Sequence, residues 1–263
     1  MRLDDDYANA AYIPNGSTYP DLWADLAQEF RSVEAACGRA WLNQAYDGDL
    51  AYDLFLPSPQ PSGCMIFVHG GYWRTCDRKD WSHLATGVMA QDWACAVPSY
   101  PLCPDVSVPD ITQSICAAIE TIADQVPGPL TLAGHSAGGH LVTRMVMQDV
   151  GLSERVAERL VHVAAISPLA DLRDFLETSM NAELGLTAET AVAESPALGA
   201  KHLPVDVSVW VGENERPKFL EQAEILAQAW GAAKTIVPNR HHFDVITELC
   251  DSSTALVDLL AGR

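Results

Sequence analysis

The chain has 263 residues, 48% of them hydrophobic, enough for a full core in one large α/β domain or two small ones. Its 35 Asp and Glu against 16 Lys and Arg give a formal charge of −19, which repels nucleic acid and anionic membranes and excludes both as expected partners. Met1-Arg2-Leu3-Asp4-Asp5-Asp6 lacks a basic then apolar leader and no apolar run is long enough to span a bilayer, so a cytoplasmic protein is expected.

The first predicted element is a helix over 20–36, with Leu22, Leu26, Phe30 and Val33 on one face for docking and Trp23 and Phe30 placed to serve as a partial lid. Strands follow at 39–46 and 50–56, joined by Asp47-Gly48, a dipeptide suited to a tight hairpin, so an antiparallel pair at a sheet edge is expected. The proline-rich stretch 57–61 is too short for a linker, which favours a single domain over 1–263 with an N-terminal helical segment at 1–36. Beyond it, strands at 63–68, 93–97, 129–133 and 160–166 alternate with helices at 79–91, 108–124 and 137–149. The last third adds strands at 205–211 and 233–237 and helices at 217–230 and 243–261, the latter broken near 251–253. This alternation predicts an α/β fold with a mostly parallel sheet and helices on both faces, with chemistry at the carboxyl ends of the strands.

At one such end stands Gly134-His135-Ser136-Ala137-Gly138, between an apolar strand and a helix. Small residues two before and two after the serine let the chain turn sharply and lift the hydroxyl above the sheet, beside the Ala137 amide at the helix start. Ser136 is the candidate nucleophile. His135 and His140 read as packing or hydrogen-bonding groups.

A serine needs an imidazole to take its proton and a carboxylate to orient that imidazole, in the chain order Ser, acid, His. Only His241 and His242 follow the last predicted strand, and His242 is preferred because it abuts Phe243 at the next helix. The loop after strand 205–211 offers Glu213 and Glu215; Glu215, just ahead of Arg216-Pro217, is favoured, and Glu213 stays open.

The oxyanion formed by attack needs a second amide besides Ala137, since losing one such donor costs about 3 to 4 kcal/mol. His69-Gly70-Gly71-Tyr72-Trp73-Arg74 follows the strand beside the nucleophile strand, and its glycines let backbone amides turn inward, which assigns Gly71 and Tyr72. Tyr72 and Trp73 then stand close enough to begin a substrate wall, with Trp73 in the core as the alternative. The seven cysteines are scattered, odd in number and without a CxxC pair, which suits free buried thiols, so no disulfide framework is expected.

His69-Gly70-Gly71-Tyr72-Trp73, Gly134 to His140, Ser167 to Leu172, Glu215 to Phe219 and His242-Phe243 together resemble the kynurenine formamidase group of α/β-hydrolases, relatives of the hormone-sensitive-lipase-like esterases. The resemblance implies hydrolysis of a small N-formyl amide such as N-formylkynurenine, or of small esters, by a serine mechanism with no cofactor and no metal. It departs in two places: the family's acid is commonly aspartate where this loop has glutamates, and a Ser-Gly-Leu type loop here reads Ser167-Pro168-Leu169. A general carboxylesterase or thioesterase is the second reading, a non-catalytic binding protein the third. The expected partner is a small-molecule substrate, and a homo-oligomer is left open.

Overall fold

A computed structural model describes residues 3–263. Strand β1 (Ala40–Asp47) pairs antiparallel with β2 (Leu50–Phe55), and β2 pairs antiparallel with β4 (Ala94–Pro98). The parallel part comprises β4, β3 (Cys64–Val68), β5 (Leu130–His135), β6 (Leu160–Ile166), β7 (Asp206–Gly212) and β8 (Ala233–Val237). The eight-stranded order is β1-β2-β4-β3-β5-β6-β7-β8. The predicted α/β architecture, its antiparallel pair and its parallel majority are therefore present.

The reason lies in the central strands. Every residue of β3, β4 and β5 is buried, as expected of strands covered by helices on both faces. Successive side chains alternate between two cores: Ile66 and Val68 pack under one layer, Met65 and Phe67 under the other. β3 and β5 run side by side from Cys64 opposite Leu130 to Val68 opposite Gly134, so the loops after both strands open at the same end of the sheet.

Several elements differ from expectation. The first helix spans Tyr19–Ala36, but its packed face is Trp23, Ala27, Arg31 and Glu34, while Leu22, Leu26 and Val33 are 48%, 42% and 51% exposed. The buried arginine explains the rotation: Arg31 pairs with Asp53 of β2, which also meets Arg78, so an ion cluster and the small Ala27 fix the helix on the sheet. The helix expected at 79–91 breaks into two 3-10 turns and a short helix at Thr86–Ala90, because Trp81 leaves helical geometry (φ −124°) to place its ring 4.7 Å from that of Trp23. The helix expected at 137–149 ends at Arg144; the Val146 carbonyl beyond it accepts the amides of His202 and Leu203 instead of a following turn. The helix expected at 243–261 is a 3-10 segment at Val245–Cys250 and a helix at Ala255–Leu260, divided where Asp251 caps Ser253.

All seven cysteines are free, with Cys64, Cys95, Cys103 and Cys116 buried and Cys37 exposed. Among the described residues no helix is long and apolar enough to cross a membrane.

Candidate active site

β5 delivers Ser136 into a turn whose dihedrals, φ 56° and ψ −117°, L-residues rarely adopt. Such strain persists only where the surroundings impose it. Here the Ser136 amide is held by the Ile166 carbonyl of β6 at 2.8 Å. Gly138 is required two residues later, since a Cβ there would collide with the carbonyl oxygens of Val68 and His69. Ala137 begins the helix, so its amide has no intrahelical acceptor.

β7 ends at Gly212, and the loop after it folds Glu215 back into the interior. Its carboxylate accepts three hydrogen bonds: from the Gly212 amide at 2.8 Å, the Ser167 hydroxyl at 2.5 Å and His242 Nδ1 at 2.7 Å. A carboxylate can only accept, so Nδ1 of His242 is the donor, and in the neutral ring the lone pair then falls on Nε2. His242 is 3% exposed, and with Ser136 it lines one cavity. Glu213 lies outside, accepting the Asn239 amide at 2.9 Å, and His241 faces Tyr19 and Asp244 and does not line the cavity. The arrangement can move a proton from a hydroxyl to an imidazole whose tautomer is fixed by a buried carboxylate.

The loop after β3 lies alongside. Gly71 has φ 106°, and a Cβ there would fall on the Thr75 carbonyl oxygen, so only glycine fits. Tyr72 and Trp73 follow with φ 53° and 59°. Gly71 and Tyr72 line the cavity with Ser136. Trp73 does not: it is fully buried, with its ring 5.1 Å from His140 and 5.6 Å from Phe175, and Nε1 donates to His140 Nδ1 at 3.3 Å. The expectation that Trp73 walls the substrate pocket is thereby corrected. Its left-handed backbone swings the indole under the loop, where His140 takes the N–H.

The cavity has a volume of about 570 Å³. One side is aromatic, formed by Trp23, Trp81 and Phe243, with the Trp23 and Phe243 rings 5.2 Å apart. The other side is the segment before the first helix, where Tyr7 and Asn9 meet Tyr72: the Tyr72 hydroxyl donates to the Tyr7 carbonyl at 2.6 Å and accepts from Asn9 Nδ2 at 3.3 Å. Of the two residues expected to form a partial lid, Trp23 lines the cavity together with residues upstream of the helix, whereas Phe30 packs on Phe55.

Sequence reasoning gave Ser167 no role, and it read His135 as a packing or hydrogen-bonding group without naming its partner. Ser167, at the end of β6 with φ 48°, donates to Glu215. A polar residue at the exit of the strand between the serine and carboxylate strands was the available signal. His135 Nε2 donates to the His242 carbonyl at 2.9 Å, and burial, reinforced by the adjacent His242, pushes its imidazole well below the usual histidine range. His69, stacked on Tyr100 at 4.2 Å, is likewise driven down to about 4 by burial. Among the described residues no group of three or more His, Cys, Asp or Glu is placed to hold a metal ion.

Comparison with known proteins gives relatives of two kinds, formamidases by sequence and esterases by fold. The chain is 29% identical over 224 residues to a kynurenine formamidase of Danio rerio, covering 79% of this chain and 75% of that protein, and 27% identical to one of Drosophila melanogaster, covering 70% and 67%. A candidate thioesterase from Silicibacter sp. TM1040 superposes with a TM-score of 0.96 at 48% identity over 99% of both chains. An arylesterase shares the fold alone, with a TM-score of 0.66 at 16% identity over 89% of this chain and 88% of that one. Residues 65–206 match the alpha/beta hydrolase fold family, and the chain belongs to it.

Proposed function

We propose that the protein is a serine hydrolase that cleaves a small N-formyl arylamide of the N-formylkynurenine type, or a small ester, through an acyl-enzyme. The observation that carries this reading is the His242 Nδ1 to Glu215 hydrogen bond of 2.7 Å beside a cavity shared by His242 and the strained Ser136. His242 Nε2 takes the Ser136 proton as Oγ attacks the acyl carbon, and the resulting oxyanion is met by the amides of Gly71, Tyr72 and Ala137. Collapse expels the amine or alcohol, which leaves with the proton from His242. A water, deprotonated by the same imidazole, then releases the acid and restores Ser136.

The aromatic side formed by Trp23, Trp81 and Phe243 suits an aryl group, and kynurenine formamidases are among the relatives. A thioester substrate is the second reading, favoured by the 48% identical candidate thioesterase. Labelling of the protein by a fluorophosphonate, lost in Ser136→Ala, tests the serine mechanism. Comparing kcat/KM for N-formylkynurenine, short p-nitrophenyl esters and acyl thioesters tests the substrate. Absence of labelling sinks the serine mechanism; cleavage of esters without the formamide removes the formamide as substrate, and cleavage of thioesters alone replaces both with the second reading.

A further inference from the structure

Two side chains of permanent charge lie among the described residues that line the cavity, Asp4 and Arg74. Asp4 accepts from the amide and hydroxyl of Ser179 at 2.6 and 2.9 Å. Among the described residues that line the cavity, Arg74 is the single Arg or Lys, and in a chain of charge −19 it is the lining side chain that attracts an anion.

Arg74 is built into the loop after β3. Its amide donates to the Gly71 carbonyl at 3.0 Å, so the base of the side chain is held a fixed distance from the backbone that faces Ser136. The side chain is 24% exposed, and its Nε is buried without a hydrogen-bond partner. One terminal nitrogen, Nη1, donates to Glu183 at 2.6 Å, and Glu183 is itself 50% exposed. That pair is a solvent-screened rim contact of the weak kind. A guanidinium offers five N–H groups in a planar fork matched to a carboxylate, and most of this fork is not engaged by protein.

We infer that Arg74 anchors a carboxylate of the substrate, exchanging Glu183 for it, so that the preferred substrate is an anionic formamide or ester. The inference rests on the hydrolase reading above and adds its charge class. Binding of the substrate anion frees the Glu183 carboxylate into solvent, where its half-exposed position leaves it well hydrated. Because the contact is remote from the scissile bond and is made equally before and during reaction, it acts on KM more than on kcat.

The experiment compares an aryl formamide carrying a carboxylate with its carboxamide counterpart, in wild type, Arg74→Gln, Arg74→Lys and Glu183→Gln. The wild type should prefer the anionic member. Arg74→Gln should raise KM for the anion roughly tenfold more than for the carboxamide. Arg74→Lys should recover part of the preference, and Glu183→Gln, which removes the competing carboxylate, should lower KM for the anion. The rate of Ser136 labelling by a neutral fluorophosphonate reports that each variant keeps its site. Equal KM changes for both substrates in Arg74→Gln, or a wild type indifferent to charge, overturns the anchor while leaving the hydrolase intact. A wild type that cleaves neither formamides nor esters overturns the hydrolase reading and the anchor with it.

Discussion

His135 Nε2 donates to the backbone carbonyl of His242 at 2.9 Å, and the two rings lie 4.6 Å apart. The residue before Ser136 thus holds the main chain of the imidazole that Ser136 would use, tying the strand-to-helix turn of β5 to the loop beyond β8. Burial keeps His135 neutral, so the Nε2 proton it donates is the only one on the ring. Its partner-free Nδ1 is a buried lone pair.

A variant that keeps a donor at this place should keep the alignment. His135→Phe should lower kcat about tenfold or more with little change in KM, and His135→Gln should recover much of the loss, because misplacing a reacting group by a fraction of an ångström acts on the chemical step. Steady-state kinetics on a reactive ester reads this directly. Wild-type kcat in His135→Phe would remove any positioning role.

Glu215 and Glu213 divide as their surroundings dictate. Glu215→Gln, which retains shape but can no longer fix the Nδ1–H tautomer, should lower kcat by about 10⁴ with the fold intact. Ser167→Ala should cost less, about tenfold, since two of the three hydrogen bonds to the carboxylate remain. Glu213→Gln should be close to wild type. A large loss in Glu213→Gln together with a small one in Glu215→Gln would transfer the role to the exposed glutamate.

The turn around Ser136 and the loop after β3 could be read from the sequence because both depend on backbone that only small residues permit, and a glycine pattern survives translation into structure. Gly71 and Gly138 stand where a Cβ would strike a carbonyl oxygen. The face of the first helix could not be read this way. Hydrophobicity favours Leu22, Leu26 and Val33, but the side turned inward carries Arg31, whose partner Asp53 comes from a strand 22 residues later, information absent from any local window. Trp73 took the alternative place in the core for a similar reason. Nearness in sequence to the glycines suggested Trp73 for the cavity, while the left-handed backbone at 72 and 73 turned it to the core and left the wall to Trp81 from the next segment.

Trp73 should accordingly behave as a packing residue. Trp73→Phe keeps an aromatic ring but leaves the fully buried His140 Nδ1 without its donor, a loss of about 1 to 3 kcal/mol. Urea unfolding should show that loss, and KM values for substrates with different acyl and leaving groups should move together or not at all. A change confined to one substrate class would return the indole to the substrate wall.

His83 offers a test of burial outside the site. It is 9% exposed, its Nδ1 has no partner, and burial lowers its pKa from 6.5 to about 4. Because the folded value lies below the unfolded one, the unfolded chain binds more protons between these limits. The stabilising contribution is therefore full above about pH 6.5 and is lost as pH falls toward 4, by roughly 3 kcal/mol when complete. Relief of repulsion in this acidic chain acts in the opposite direction over the same range, so the wild-type curve alone mixes the two. Comparison with His83→Gln separates them, because both proteins share the surface charge. The urea midpoint of the variant should fall less steeply, or rise more, than that of wild type between pH 6.5 and 4.5. Parallel curves would mean that His83 is protonated in the folded protein as readily as in the unfolded chain.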